Sequence, residues 1–327
     1  MKNLIICFCC CLAFLLSFTA HAKPTGEILF FHPNNRGELL MTRIEDTSNV
    51  REIYRHRHKI QGITAHQKSP FVLFLANPQD RGLVQDIFLA DMKRRNLSLR
   101  NLTKERFGFI MHFAISKNGD IVFTTNLKRA EKVFGIKVGI YFISQSELRR
   151  QDTPHATLLV EDGETPVWFP DGERIIYTKN NELFILTVPT GNKTLLPIHP
   201  VESAALSPDG AYIASPTIFG GKLVQIEIHS LETYEKLATT RPPIPIPFRD
   251  LKWSPDGKYL VYTGALDGNY HHVAIPFDKD NATLGVPVDI LTEVQGKTVQ
   301  KFVWASLVRF PVEPTEHLTT LWGKLKK

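Results

Sequence analysis

The chain has 327 residues, a formal charge of +6, 43% hydrophobic residues and four cysteines. That is enough apolar content for one large domain or two ordinary ones, and it excludes a low-complexity or disulfide-dense scaffold. The mild basic excess is spread over the whole chain and includes short runs at residues 55–59, 93–95 and 324–327. It is read as solvated surface, with no nucleic acid among the expected partners.

Residues 1–22 read as a secretory leader. Lys2 supplies a positive start, an apolar run covers residues 4–18, and Ala20-His21-Ala22 places small residues where a signal peptidase reads. The run is shorter than the ~20 residues of a spanning helix, and no later segment is apolar for long enough. Export with cleavage near Ala22, to a periplasmic or secreted location, is the expectation. Cys7, Cys9, Cys10 and Cys11 all fall inside the leader, so the mature chain would have no disulfide, thiolate nucleophile or cysteine-held metal.

Beyond the leader, residues 26–31, 38–42 and 50–54 read as three strands in succession, and they lack a first strand. From residue 60 a repeat sets in. Its unit is an apolar or aromatic strand, a tight turn, then a strand rich in β-formers. The turns are Ser116-Lys117-Asn118-Gly119, Phe169-Pro170-Asp171-Gly172, Ser207-Pro208-Asp209-Gly210 and Ser254-Pro255-Asp256-Gly257, with a degenerate copy at 67–70. Proline presets φ at the first central position, Asp tolerates the second, and Gly takes the positive φ that returns the chain. Asp171, Asp209 and Asp256 are therefore read as turn residues rather than catalytic acids. Trp168, Trp253 and Trp304 recur at the ends of first strands and are read as packing between units.

A third apolar strand and often a fourth follow each turn, as at 86–92 with 97–103, at 182–186 and at 223–228. Four short strands per unit make a propeller blade. Pro70, Gly119, Gly172, Gly210 and Gly257 mark five units at spacings of roughly 40–50 residues, the range of propeller repeats. Residues 300–305 read as a first strand without successors. Joined to the N-terminal strands they complete a sixth blade and close the ring. The predicted fold is all-β, a six-bladed propeller over residues 23–310, with 311–327 as a tail containing Trp322.

With Trp253-Ser254-Pro255-Asp256-Gly257-Lys258-Tyr259-Leu260-Val261-Tyr262 and Asp86-Ile87-Phe88-Leu89-Ala90-Asp91 followed by Asn101-Leu102-Thr103 in view, the chain resembles the TolB-like, WD-repeat-like propeller family over most of residues 26–305. The resemblance implies the propeller fold and says much less about function. TolB carries a separate N-terminal α/β domain, whereas blade sequence begins here within a few residues of the expected cleavage site. The role of TolB in an envelope-spanning complex is therefore not carried over.

Propeller channels are lined by first-strand residues, and the polar candidates are Gln61, His66, His112, Glu202, Arg249, Asp250 and Gln300. They fit a scaffold that binds an envelope or extracellular protein, a peptide or a glycan, without a cofactor. The competing reading is a metal-dependent lyase or lactonase, which needs three or more of His112, Glu202, Asp250, His66 and Gln300 to converge on one point. A peptidase of the propeller–hydrolase type is excluded by the lack of a Gly-x-Ser-x-Gly elbow. His56 with His58, and His271 with His272, have metal-like spacings but are read as surface histidines. Asn96, Asn101, Asn192 and Asn281 begin Asn-x-Ser/Thr triplets, which are read as chance in the bacterial setting that the resemblance implies. Loops 127–136 and 239–247 are the candidate contact loops, and the proline run 242–247 is a stiff connector.

Overall fold

A computed structural model describes residues 23–34, 37–66, 69–78, 84–92, 99–125, 135–150, 152–198, 203–242, 246–291 and 293–304. The leader, the 311–327 tail with Trp322, Glu202 and most of loop 127–136 lie outside the described residues.

Six antiparallel sheets form a ring of blades. The chain enters through β1 (Glu27–Phe31), β2 (Glu38–Arg43) and β3 (Arg51–Arg55). Blade two follows as β4 (Ile60–Ala65), β5 (Phe71–Ala76), β6 (Asp86–Asp91) and β7 (Leu99–Asn101). Blade three is β8 (Ile110–Ile115), β9 (Ile121–Thr125), β10 (Gly139–Ile143) and β11 (Thr157–Glu161), with a one-turn helix α1 (Gln145–Arg150) before its last strand. Blade four is β12 (Glu164–Trp168), β13 (Arg174–Lys179), β14 (Glu182–Thr187) and β15 (Asn192–Leu195). Blade five is β16 (Ala205–Leu206), β17 (Tyr212–Phe219), β18 (Lys222–Ser230) and β19 (Lys236–Thr240). Blade six is β20 (Phe248–Trp253), β21 (Tyr259–Leu266), β22 (Asn269–Asp278) and β23 (Thr283–Leu284), with β24 (Val288–Ile290) also on β22.

The last strand, β25 (Lys301–Trp304), returns to β1 in register Ile28↔Trp304 through Phe31↔Lys301. The first blade is thus assembled from both ends of the described chain, as the two incomplete strand sets predict.

Apolar side chains alternate on the strands and are buried between blades. Six cores result, one at each blade junction. Phe31 and Met41 of blade one meet Phe74 of blade two, for example, and Trp304 of blade one meets Val261 of blade six. Closure therefore combines four residue pairs of ladder within blade one with a packed core at the junction of blades six and one.

All four intact turns form. Gly119, Gly172, Gly210 and Gly257 donate their N–H to the carbonyls of Ser116, Phe169, Ser207 and Ser254 at 2.9–3.0 Å. These glycines have φ of +92°, +70°, +76° and +70°. Asp171 Oδ1 accepts from the N–H of Glu173 and Arg174, Asp209 Oδ1 from Ala211, and Asp256 Oδ1 from Lys258. In the degenerate copy Ser69 donates to His66 O, so its closing position is Ser69, one residue before Pro70. Trp253 Nε1 donates across a blade junction to Ala205 O at 3.0 Å.

The histidine pairs correct the surface reading. His272 is 1% exposed and His56 6% exposed. Adjacent residues on a strand point to opposite faces, so within β22 one histidine of the pair must turn inward. His56 packs against Phe88, with ring centres 4.7 Å apart.

Candidate functional site: the bulged wall of the central channel

Four of the six innermost strands do not pair regularly. The ladder shifts register between Ile60 and Gly62 on β4, Ile110 and Phe113 on β8, Glu164 and Val167 on β12, and Phe248 and Asp250 on β20. Each shift is a β-bulge, which leaves residues out of the ladder and re-aims their side chains. The bulged residues are Gln61, Met111 with His112, Thr165 with Pro166, and Arg249. On β12 the cause is partly chemical, since Pro166 has no N–H to give the ladder. On β8 the bulged His112 N–H is taken up by Thr124 Oγ1 at 3.1 Å.

All six blades, the first through β25, line a central cavity of about 1320 Å³. His112, Glu164, Arg249, Asp250, Lys252 and Lys301 are among its charged or titratable wall residues. A second cavity of about 250 Å³ lies at the turn-side mouth, where His66 meets Pro170, Pro208 and Trp253.

The predicted candidates divide accordingly. His112, Arg249 and Asp250 share the central cavity, and His66 lines the smaller one. Gln61 is exposed and accepts from Gln85 Nε2. Gln300 lines neither cavity, and its backbone N–H donates to Phe31 O at 3.0 Å. Among the described residues, no three His, Cys, Asp or Glu side chains are grouped closely enough to hold a metal ion.

Asp250 is clamped by a cation. Lys252 Nζ lies 2.9 Å from Asp250 Oδ2, donates to Phe302 O at 2.7 Å and stands 4.2 Å from the centre of the Phe302 ring. Burial pushes the Asp250 carboxyl up, but Lys252 and Lys301 outweigh it and hold it at about 2. Burial and then Lys301 lower the Lys252 ammonium, against the pull of Asp250. His112 faces channel water yet is pressed down to about 4, first by burial and then by Lys301. At neutral pH the inner wall therefore carries Asp250 as carboxylate and His112 as neutral imidazole.

Behind this wall His272 is pushed to about 4 by burial. Its Nε2 lies 2.8 Å from Val299 O and its Nδ1 lies 2.8 Å from Thr263 Oγ1. A carbonyl only accepts, so Nε2 carries the proton and Nδ1 receives the threonine hydroxyl.

Lys252 and Lys301 were missed in the sequence, although a signal exists. The residue before each first-strand tryptophan is Val167, Val303 or Lys252, and a lysine in place of valine marks the odd blade.

No protein-family model matches the chain, and no curated protein matches it either. Solved structures do. TolB from Acinetobacter baumannii superposes with a TM-score of 0.61 at 16% identity, covering 86% of this chain and 66% of that one. A chain of the nidogen–laminin complex gives 0.56 at 12% identity, covering 85% and 97%. A TolB-type protein of Agrobacterium tumefaciens gives 0.54 at 14% identity, covering 84% and 92%.

The fold is that of the TolB-like propellers. The chain spans about two thirds of the length of the A. baumannii TolB chain. At these identities the likeness concerns the fold alone.

Proposed function

We propose that this chain is an exported, non-catalytic propeller that holds a partner at the mouth of its central channel. The observation that carries this reading is the set of bulges. Three blades break their inner ladders where His112, Thr165 and Arg249 meet one large cavity, and such breaks are a common device for aiming side chains at a binding site. The clamp of Lys252 on Asp250 supports binding over metal chemistry, because the partly buried acid of the wall already has a cation as its partner. A ring of the same fold occurs in the nidogen–laminin complex, which supports a protein or peptide as partner. A glycan is the other class that loops on a rigid ring can hold.

Export rests on the apolar run 4–18 and on Ala20-His21-Ala22. Cleavage near Ala22 leaves residues 23–310 as the ring and 311–327 as its tail. Among the described residues no helix is long and apolar enough to cross a membrane. Sequencing the N-terminus of the protein recovered from the cell envelope checks the cleavage.

The binding reading is tested with the purified protein as bait in envelope extracts. Arg249→Glu, at the exposed channel mouth, is expected to reduce retention of the partner. Lys193→Glu, on the exposed outer strand β15, is expected to leave it intact. Equal retention by both variants would place the partner away from the channel.

A further inference from the structure

Resting on the channel-mouth reading, the charge inside the ring narrows the class of partner. The acids of the cavity wall are Asp162, Glu164 and Asp250, and its cations are Lys179, Arg249, Lys252 and Lys301. Asp162, Glu164 and Arg249 are exposed, and Lys179 Nζ is turned to Glu161 O at 2.8 Å. Lys179, Asp250, Lys252 and Lys301 are partly buried. Asp250 is taken by Lys252 at 2.9 Å. Lys301 has no salt bridge within 4 Å among the described residues, and its charge is felt by Asp250, Lys252 and His112.

Lys252 and Lys301 share the carboxylate of Asp250, and the positive charge left over in a partly buried place is unfavourable unless something anionic arrives. We infer that the channel is a receptor for an acidic polypeptide segment, whose carboxylate docks on Lys301 beside Lys252. Two observations favour polypeptide over a small anion. The cavity, about 1320 Å³, exceeds the roughly 300–1,000 Å³ of an ordinary small-molecule site. Its wall is also built from β4, β8, β12, β20 and β25, each the end strand of its sheet. The inward edges of such strands offer unpaired backbone groups that an extended chain can use.

The test is a fluorescence-anisotropy titration of the purified protein with a short labelled peptide alternating Ser and Glu, against its Ser–Gln counterpart. The acidic peptide is expected to bind about tenfold or more tightly than the amide peptide, with affinity falling as salt is raised. Lys301→Glu is expected to remove that preference, Lys301→Arg to keep it, and Lys193→Glu to leave it unchanged. Should Lys301→Glu disturb the fold, Lys301→Gln and the wild-type comparison of the two peptides decide the matter.

Equal affinity for both peptides, or a preference that survives Lys301→Gln, would overturn the inference. Tighter binding of an oligouronate than of the acidic peptide would overturn the polypeptide assignment. If Arg249→Glu still releases the native partner while the two peptides bind equally, the channel reading stands and only the charge assignment fails. If Arg249→Glu retains that partner, the channel reading itself falls.

Discussion

Lys252 Nζ donates to the carbonyl oxygen of Phe302 at 2.7 Å and stands 4.2 Å from the centre of the Phe302 ring. One residue of blade six thus grips the strand that closes blade one, while its ion pair with Asp250 remains on its own strand. Ring closure and channel chemistry share a side chain.

Lys252→Met keeps the aliphatic stem and removes both contacts. It leaves Asp250 in the wall without its near cation, and the expected loss of stability is about 2 kcal/mol. Adding Asp250→Asn is expected to recover part of that loss, because the pair is coupled. Urea unfolding of the two single variants and the double variant measures both quantities.

Acid weakens the fold in two stages. His272 in the folded chain titrates at about 4 against an ordinary 6.5, so the unfolded chain takes the proton first. Its contribution is whole above about pH 6.5 and is lost as pH falls toward 4. Asp250 sits at about 2 against 3.8, so its contribution is present above about pH 4 and is lost as pH falls toward 2. His229 is also held low, with burial the largest cause, and it adds to the upper stage. Urea midpoints across this range are expected to fall in both stages, and His272→Leu is expected to shrink the upper one.

The turns touch one another around the ring. A Cβ on Gly210 would lie 3.1 Å from Pro170 Cδ of the preceding blade, at a φ of +76°. Gly191 has a similar φ of +75° with nothing within 4 Å. Gly191→Ala is therefore expected to lose about 1 kcal/mol from backbone strain alone, and Gly210→Ala more, because Pro170 must also shift. Thermal melts of the two variants compare them directly.

Asp86 is fully buried and accepts from Thr103 Oγ1, Asn101 Nδ2 and the Glu105 N–H, each at 2.7 Å. Asp86→Ala strands three donors and is expected to destabilise by about 3 kcal/mol. Chemical denaturation with circular dichroism reads the change. Asn101 is thereby committed to the blade, which is a structural reason for its place in the triplet Asn101-Leu102-Thr103.

What was legible in the sequence is what is local or complementary. The Pro-Asp-Gly turns are set by four neighbouring residues, and an N-terminal set without a first strand matched a first strand without successors. The bulges were not legible, because a register shift between Phe248 and Asp250 depends on the partner strand β21. The burial of His56 and His272 was misread for a related reason. The surface reading rests on loop-like or edge contexts without an acidic or cysteine neighbour, whereas strand alternation and the aromatic neighbours Phe74 and Phe88 decide which ring turns inward. Of the channel candidates, His112, Arg249 and Asp250 came together because first strands line a propeller channel. Gln300 lies just before β25 and turns elsewhere.

The most direct measurement is photo-cross-linking in intact cells, with a reactive residue placed at Arg249 on the channel mouth or at Lys193 on the outer strand. The account predicts a defined adduct from position 249 and none from 193. Adducts from 193 alone, or from neither position, would contradict a propeller that works by holding a partner at its channel.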